Sequence, residues 1–242
     1  MLYVTLGFRQ FSFHFTQIRD ALADGDEGLA RELLATWQRI DARELPQREI
    51  IRHVIEHSVI AAHRHVFGVL AWFSVLAAFG FGPAGAVLYR VSEFVARYWL
   101  QDNKTHHQPV SEALKTTAGN AWRWIDWIPA RITSVSFAVV GSFEEAMEGW
   151  RQHERQFDGD NDALILAATA GAVNIRLGKG GASLTHMDDG IPAQPDAASV
   201  PVYASGQSPA LAHMAVIVGL VWRTVVMWIL LLALLTLARL LG

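Results

Sequence analysis

The strongest constraint on the fold is an apolar run near the end of the chain, from Ala210 to Leu241. Only His213, Arg223 and Arg239 interrupt it. About 20 consecutive apolar residues are enough for a helix to cross the hydrocarbon core of a bilayer. The run therefore predicts a transmembrane helix, in which Arg223 is either buried against a partner or extends its charged end to the membrane surface.

A second apolar region lies nearer the middle of the chain. No side chain from Val66 to Tyr89 carries a charge, which also predicts a membrane segment. Gly80-Phe81-Gly82-Pro83 interrupts this region, so it can instead form two helices that meet near residue 80. A third run, 132–143, is too short to cross alone, and is either re-entrant or part of a longer helix that begins near Trp122.

The composition agrees with a membrane protein. Apolar residues make up 52% of the chain and charged residues only 18%, whereas soluble domains average about 25% charged. The nine tryptophans suit a bilayer interface, where one end of the ring is apolar and the other is hydrated. A net charge of −3 excludes a broadly basic nucleic-acid-binding protein, and the lack of cysteine excludes disulfides and thiolate metal sites.

The chain is expected to divide into four regions. Residues 1–45 predict an amphipathic helical hairpin that turns at Asp24-Gly25-Asp26, and residues 46–150 a membrane-associated core. Residues 151–208 predict a polar loop region with one small-residue helix, and 209–242 the C-terminal transmembrane helix. The predicted fold is all-α, a polytopic, multi-pass integral membrane protein in which the hairpin precedes the first complete span.

A stripe of ionisable side chains follows the start of a predicted helix at Pro46. Glu49, His53, Glu56 and His63 recur at steps that place them on one helical face. Ionisable groups near a membrane are costly and often functional, so Glu56 and His63 are candidate acids or bases. The alternative is a solvated helix face. His53 with His57 lacks a third ligand in reach, and we predict no metal site.

Arg64 lies between two histidines just before the second apolar region. It can contact lipid phosphates at the membrane edge, or it can bind a carboxylate or phosphate of a ligand. The sequence Gly85-Ala86-Val87-Leu88-Tyr89-Arg90 favours close helix packing through its small residues, with Tyr89 and Arg90 as interface anchors.

Two further clusters carry charge. Asp126 and Arg131 flank Pro129 within a tryptophan-rich stretch and can form an ion pair with each other. Arg176-Leu177-Gly178-Lys179-Gly180-Gly181 contains the glycines and lysine of a phosphate-binding loop but lacks the P-loop spacing, so a glycine-rich helix end is the simpler interpretation.

Five short motifs, in the same order, resemble the CobD/CbiB family of cobalamin-biosynthesis membrane proteins. The order matches over about residues 15–240. The motifs are Ala21-Leu22-Ala23-Asp24-Gly25-Asp26 with Ala30-Arg31, the helix from Glu49 to Glu56, Gly85 to Arg90, Asp126 with Ile128-Pro129-Ala130-Arg131, and Ala170-Gly171-Ala172 with Arg176-Leu177-Gly178.

The resemblance implies an enzyme that joins an aminopropanol unit to adenosylcobyric acid through an amide bond, giving adenosylcobinamide or its phosphate. It implies a bacterial inner-membrane location, with the lipid bilayer, a corrinoid and aminopropanol or its phosphate as partners. Cobalt is then part of the substrate, ATP is a candidate co-substrate, and no nucleic acid is involved. With the clusters above, it predicts catalytic roles for Glu56, His63 and Asp126. Substrate binding is predicted for Tyr89, Arg90, Arg131 and Arg64.

The chain also departs from the biosynthetic pattern in three places, at Gln38–Asp41, Ser58–His65 and Ser92–Arg97, where polar residues of the family motif are missing. Ala62-His63-Arg64-His65-Val66-Phe67 with Trp72-Phe73 is similar to AmpE, an inner-membrane protein linked to β-lactamase induction. A non-catalytic signalling or regulatory protein is therefore the alternative function. Family members carry an apolar region before the segment that matches Leu2–Arg9, so a membrane segment is expected upstream.

Overall fold

The computed structural model describes residues 2–100, 111–156, 160–178 and 206–241. The regular elements in these ranges are helices, which confirms the all-α prediction. In chain order they are α1 (Leu2–Ala23), α2 (Glu27–Gln38), α3 (Gln47–Ala62), a π-helical turn (His63–Phe67), α4 (Gly68–Ala78), α5 (Ala84–Leu100), α6 (Glu112–Val140), α7 (Phe143–Gln156), α8 (Asn161–Val173) and α9 (Leu211–Leu241).

The predicted helical hairpin at the start of the chain is confirmed. Helices α1 and α2 pack on each other across a turn in which the Asp26 carboxylate accepts a hydrogen bond from the Leu29 backbone N–H at 2.9 Å. This bond caps α2, because the first N–H groups of a helix have no partner within it. Phe15 and Ile18 of α1 are buried in the main core.

Of the two alternatives for Val66 to Tyr89, two helices that meet near residue 80 are confirmed, and the single membrane segment is wrong. The π-helical turn joins α3 and α4 into one continuous helix, Gln47–Ala78, of 32 residues. Gly80 (φ +85°) and Gly82 (φ +57°) then adopt left-handed conformations that end it, and α5 returns alongside α4. The two helices touch closely at Gly85, where a Cβ would lie 2.0 Å from the Trp72 carbonyl oxygen.

Helix α6 settles the alternatives for the third apolar run. Residues 132–140 are the end of a 29-residue helix that begins at Glu112 and passes through Pro129. The run is therefore part of a longer helix, which begins at Glu112, well before Trp122. Helix α6 packs against α4, α5, α7, α8 and α9, which makes it the central element of the described fold.

Helices α7 and α8 form a second antiparallel pair beside α6. Their backbones approach so closely that a Cβ at Gly171 would lie 2.1 Å from the Glu145 carbonyl oxygen. His153 of α7 is buried, and its Nε2 donates to the Asp160 carbonyl oxygen at 3.2 Å. Burial lowers the pKa of His153, although the nearby Asp160 carboxylate partly opposes this.

After α8, two backbone hydrogen bonds join the parts of the chain that precede and follow residues 179–205, which lie outside the described residues. The Arg176 N–H donates to the Gln207 carbonyl oxygen, and the Gln207 N–H donates to the Asn174 carbonyl oxygen, both at 2.9 Å. Residues 179–205 of the predicted polar loop region, which include Lys179-Gly180-Gly181 of the glycine-rich motif, lie outside the described residues.

Helix α9 confirms the long C-terminal helix and divides into two parts. Its first part packs against α3 and α6 through Met214, Ile217, Leu220 and Trp228, whereas most residues from Ile229 onward are exposed. Arg223 is exposed and donates to the Gly219 carbonyl oxygen of its own helix at 3.1 Å, so it is not buried against a partner. By length and composition, α9 and the α3–α4 helix are the two described helices that could cross a membrane.

Candidate functional site

The candidate site is built around the π-helical turn His63–Phe67. A π-helical turn adds one residue to a helix and is frequently found at functional sites. Here it begins with the sequence His63-Arg64-His65, directly before the apolar helix α4. The predicted stripe assumed an uninterrupted α-helix, and the extra residue changes which neighbours His63, Arg64 and His65 meet.

The centre of the site is a buried hydrogen-bonded network between the π-helical turn, α5 and α6. His63 Nε2 lies 2.9 Å from Asp126 Oδ1, and the Tyr89 hydroxyl donates to the same oxygen at 2.7 Å. Because a carboxylate only accepts hydrogen bonds, the proton of this contact is on His63 Nε2. Thr133 Oγ1 lies 2.9 Å from His63 Nδ1, so both ring nitrogens have partners. All four side chains are buried.

Close helix packing positions Tyr89 in this network. A Cβ at Gly68 would lie 2.3 Å from Tyr89 Cζ, so the ring fits only because residue 68 has no side chain. The Trp122 ring packs on the other side, with centroids 5.3 Å apart. The expectation that Tyr89 is an interface anchor is therefore wrong, because the side chain is fully buried.

Arg64 extends from the π-helical turn to α8. Its Nη2 donates to Asp162 Oδ2 at 2.6 Å, and both side chains are largely buried. Burial raises the pKa of Asp162, while the Arg64 guanidinium partly opposes the shift. In this conformation, Arg64 binds a carboxylate of the protein itself.

His65 and three charged residues of α5 form the outer part of the site. Arg90 Nη1 lies 2.8 Å from His65 Nδ1, which therefore accepts the bond, and Arg90 also pairs with Glu93. Arg97 Nη2 donates to Glu93 Oε1 at 2.8 Å. The side chains of Arg90 and Arg97 are 30% and 36% exposed, against 7% for Glu93, so these two cations form the accessible rim.

These residues are close enough to influence one another electrostatically. We refer to them together as the polar cluster, which comprises His63, Arg64, His65, Tyr89, Arg90, Glu93, Arg97, Asp126, Thr133 and Asp162.

Glu56 lies apart from the polar cluster. Arg52 Nη1 contacts both Glu56 carboxylate oxygens at 3.0 Å, and the Gly178 backbone N–H donates to Oε1 at 2.7 Å. The side chain is buried, so the alternative of a solvated helix face is wrong for Glu56, and also for the buried His53. At about 1.5 Å per residue, His63 is about 10 Å further along the helix axis.

Arg131 also lies away from Asp126. Its guanidinium carbon is 3.9 Å from the centroid of the Trp127 ring, and its Nη2 lies 3.8 Å from Glu154 Oε1. The expected pair between Asp126 and Arg131 is therefore wrong: Asp126 pairs with His63 instead. Of the seven predicted site residues, five lie in the polar cluster, and Glu56 and Arg131 do not.

Five members of the polar cluster were not predicted as site residues: His65, Glu93, Arg97, Thr133 and Asp162. Glu93 could have been found, because it lies three residues after Arg90 and four before Arg97, the spacing of helical ion pairs. Asp162 gives a weaker signal, since an acidic residue in the first helical turn is common without function. Thr133 gives none, because its contact with His63 joins residues 70 positions apart.

Comparison with known proteins gives the same family that the motifs suggested. A family model described as CobD/Cbib protein matches residues 1–201. Proteins named cobalamin biosynthesis protein CobD are similar: that of Chromobacterium violaceum is 31% identical over 180 residues, which cover 74% of this chain and 54% of that protein. That of Stutzerimonas stutzeri is 28% identical over 232 residues, which cover 96% of this chain and 70% of that protein.

A relative of the same name from Leptospira interrogans is 28% identical over 183 residues, which cover 74% of this chain and 55% of that protein. The chain thus spans about half the length of two of these three relatives. No solved structure matches the chain significantly.

Proposed function

Because the chain belongs to the CobD/CbiB family, we propose that it forms the amide bond between an aminopropanol unit and adenosylcobyric acid, which gives adenosylcobinamide or its phosphate. Its role in cobalamin biosynthesis follows from the family and from the names of its relatives.

The observation that carries the proposal is the group of guanidinium side chains around the π-helical turn. The carboxylate of adenosylcobyric acid and the phosphate of an aminopropanol phosphate are both anions. Guanidinium groups bind such anions through paired, charge-assisted hydrogen bonds. Arg90 is partly exposed while it holds Glu93 and His65, so a substrate anion can bind it by replacing a protein partner.

The chemistry of the step defines what the site must supply. With ATP as the co-reactant, a carboxylate oxygen of the substrate first forms a bond to a phosphorus atom of ATP. The bond from that phosphorus to the departing ADP or pyrophosphate breaks, which leaves an acyl phosphate or acyl adenylate. The amine nitrogen then forms a bond to the acyl carbon, and the bond from that carbon to the activating oxygen breaks with its electron pair. The surplus proton of the amine passes to a base.

Glu56, His63 and Asp126 remain predicted for acid or base roles. The structure gives both nitrogens of His63 internal partners and buries the pair with Asp126. A positioning role is therefore the simpler proposal for His63, Tyr89 and Asp126: they hold the π-helical turn so that Arg64 and His65 face α8 and α5.

The family and the two long apolar helices indicate a membrane protein. We propose the bacterial inner membrane, with the bilayer as a constant partner, and more than one embedded segment. The alternative of an AmpE-like regulatory protein has no support from the relatives described above, whose names all refer to cobalamin biosynthesis.

The experiment that tests the proposal is complementation of a bacterial strain without its cobinamide synthase, grown on cobyric acid. We expect growth with the wild-type chain and at least a tenfold slower corrinoid conversion with Arg90→Gln. Arg43→Gln is the matched control, because that side chain is 91% exposed and far from the polar cluster in sequence.

Immunoblots of the membrane fraction would establish equal amounts of the variants. No growth with a well-expressed wild-type chain would contradict the proposed reaction. Growth and conversion at wild-type rates with Arg90→Gln would leave the reaction standing but contradict the assignment of the anion site.

A further inference from the structure

The hairpin of α4 and α5 is too short to cross a bilayer. From His65, the last ionisable residue before the apolar arm, to Ala78 the helix rises about 20 Å. The returning arm is shorter still, since only about 9 Å of helix separates Ala84 from Arg90. The hydrocarbon core is about 30 Å thick, so neither arm alone reaches from one surface to the other.

Charges mark the base of the hairpin on both arms at the same level. Arg90 of α5 contacts His65 of the π-helical turn at 2.8 Å and pairs with Glu93. Above this level, the segment from Val66 to Tyr89 carries no charge. The contact therefore holds the two ends of the apolar hairpin side by side.

The tip of the hairpin consists of exposed aromatic residues. Phe79 and Phe81 are 74% and 65% exposed, and Val87 of the returning arm is 61% exposed. Large apolar side chains at the end of a projecting hairpin are unfavourable in water and favourable in hydrocarbon.

The second part of α9 projects in the same direction. Trp228 Nε1 donates to Ser136 Oγ at 3.2 Å, while the next residue of α6, Phe137, packs on Phe67 with ring centroids 5.4 Å apart. Trp228 and Phe67 are thus at a common level. Below it, the buried part of α9 packs on α3; above it, Ile229–Leu241 is mostly exposed and apolar, over about 20 Å.

We propose that the α4–α5 hairpin enters the bilayer from one side and turns within the hydrocarbon, so that the partly exposed charges at its base lie at one membrane surface. The occupant of the exposed apolar face is lipid hydrocarbon. The continuous helix Gln47–Ala78 is then not a span: its first part, with α1, α2 and Glu56, stands outside the membrane on the same side as the hairpin base. This inference does not depend on the proposed reaction.

The test uses the lack of cysteine in the chain. The single variants are Phe81→Cys at the tip, Arg43→Cys in the segment before α3 and Tyr98→Cys near the end of α5, and all three positions are exposed. Each is treated with a membrane-impermeant maleimide in intact cells and in inverted vesicles. A denatured sample gives full labelling for reference. The Phe81→Cys variant is also labelled with a small fluorophore and reconstituted in lipids brominated deep in the acyl chain.

We expect Arg43→Cys and Tyr98→Cys to be labelled from the same side and the tip from neither. We expect deep bromines to quench the tip fluorophore at least twofold more than bromines near the headgroup. Labelling of the tip from the side opposite Tyr98→Cys would show a crossing hairpin and overturn the proposal. A tip that is labelled from the Tyr98→Cys side, or that is protected but not quenched by bromolipids, would overturn it too, because water or protein would then cover the tip.

Discussion

At the scale of single residues, the buried hydrogen-bonded network depends most on Asp126. Its carboxylate oxygen accepts from both His63 and Tyr89 while it is buried. A buried charge is stable only when hydrogen bonds and an opposite charge replace its hydration. The three side chains come from three different elements, so the hydrogen bonds to this one carboxylate join the π-helical turn, α5 and α6.

Removal of the Tyr89 hydroxyl tests this network. We expect Tyr89→Phe to lower the free energy of unfolding by about 1.5–3 kcal/mol, the range for a hydrogen bond to a charged group. The measurement is thermal unfolding of the purified protein in detergent. Tyr98→Phe is the control, since Tyr98 is exposed and should change stability little. Equal melting of both variants would show that Asp126 does not need this donor.

Glu56 offers a second test at this scale. We expect Glu56→Ala to destabilise the protein by about 3–5 kcal/mol, because it leaves Arg52 partly buried without its main partner and the Gly178 N–H without its acceptor. Glu49→Ala removes the other partner of Arg52, at a more exposed position, and should cost less. A larger effect of Glu49→Ala would contradict the importance given to burial. Limited proteolysis and thermal unfolding measure both.

At the scale of the helices, small residues set the distances between elements. Gly85 against Trp72 and Gly171 against Glu145 allow backbones to touch, as is common in membrane helix pairs. The sequence prediction that residues 85–86 permit close packing is therefore confirmed.

We expect Gly85→Ala to separate α4 from α5 and to lower the melting temperature by several degrees, because its Cβ would lie 2.0 Å from a backbone oxygen. Gly219→Ala in α9 is the matched control. Its Cβ meets only the flexible Arg223 side chain at 3.9 Å, and alanine favours a helix. Stability that is unchanged in Gly85→Ala would contradict the close approach of the two helices.

The packing of α7 on α8 should depend on pH through His153. Its folded pKa lies below that of the unfolded chain, so the folded state favours the neutral ring. The stability that the neutral ring contributes is complete above about pH 6.5, the ordinary histidine value, and is lost as the pH falls through the folded pKa. His153→Gln keeps a donor for the Asp160 carbonyl oxygen and should show a flatter stability profile from pH 7.5 to 5. Parallel profiles would contradict the assignment.

The elements were more predictable than their contacts. Local signals predicted the α1–α2 hairpin, the break at Gly80–Pro83 and α8, because caps, glycines and apolar periodicity act within a few residues. The π-helical turn was not predictable, since no local sequence signal marks it. The ion pairs of α7 and α8 with the rest of the chain also required the fold, as with Arg64 and Asp162, which lie 98 positions apart.

At the scale of the whole molecule, the described helices separate into a packed body and apolar projections. The body is held by one large hydrophobic cluster that includes residues of α1, α2, α3, α6, α8 and α9. The projections, the α4–α5 tip and the second part of α9, contribute little to that cluster. If the projections attach the protein to the membrane as proposed, we expect stability and membrane attachment to be largely separate properties of this fold.

Removal of residues 229–242 tests that separation. We expect the shortened chain to keep a melting temperature within about 2 °C of the full chain, because most of the deleted side chains that the structure describes are exposed and pack little. The same deletion should increase the fraction that alkaline carbonate extracts from membranes. Trp228→Ala, at a buried position, should do the opposite: lower stability with little change in extraction. A collapse of the shortened chain would place these residues in the body.

The pair of backbone hydrogen bonds that joins Asn174 and Arg176 to Gln207 has a practical consequence for engineering. The chain leaves and re-enters the packed body at one point, where its own bonds hold both ends. A cargo domain with adjacent termini, such as a fluorescent reporter or an affinity module, could be spliced there without pulling the flanking helices apart. The segment between residues 178 and 206 is therefore a suitable site for inserting a domain without altering either end of the chain.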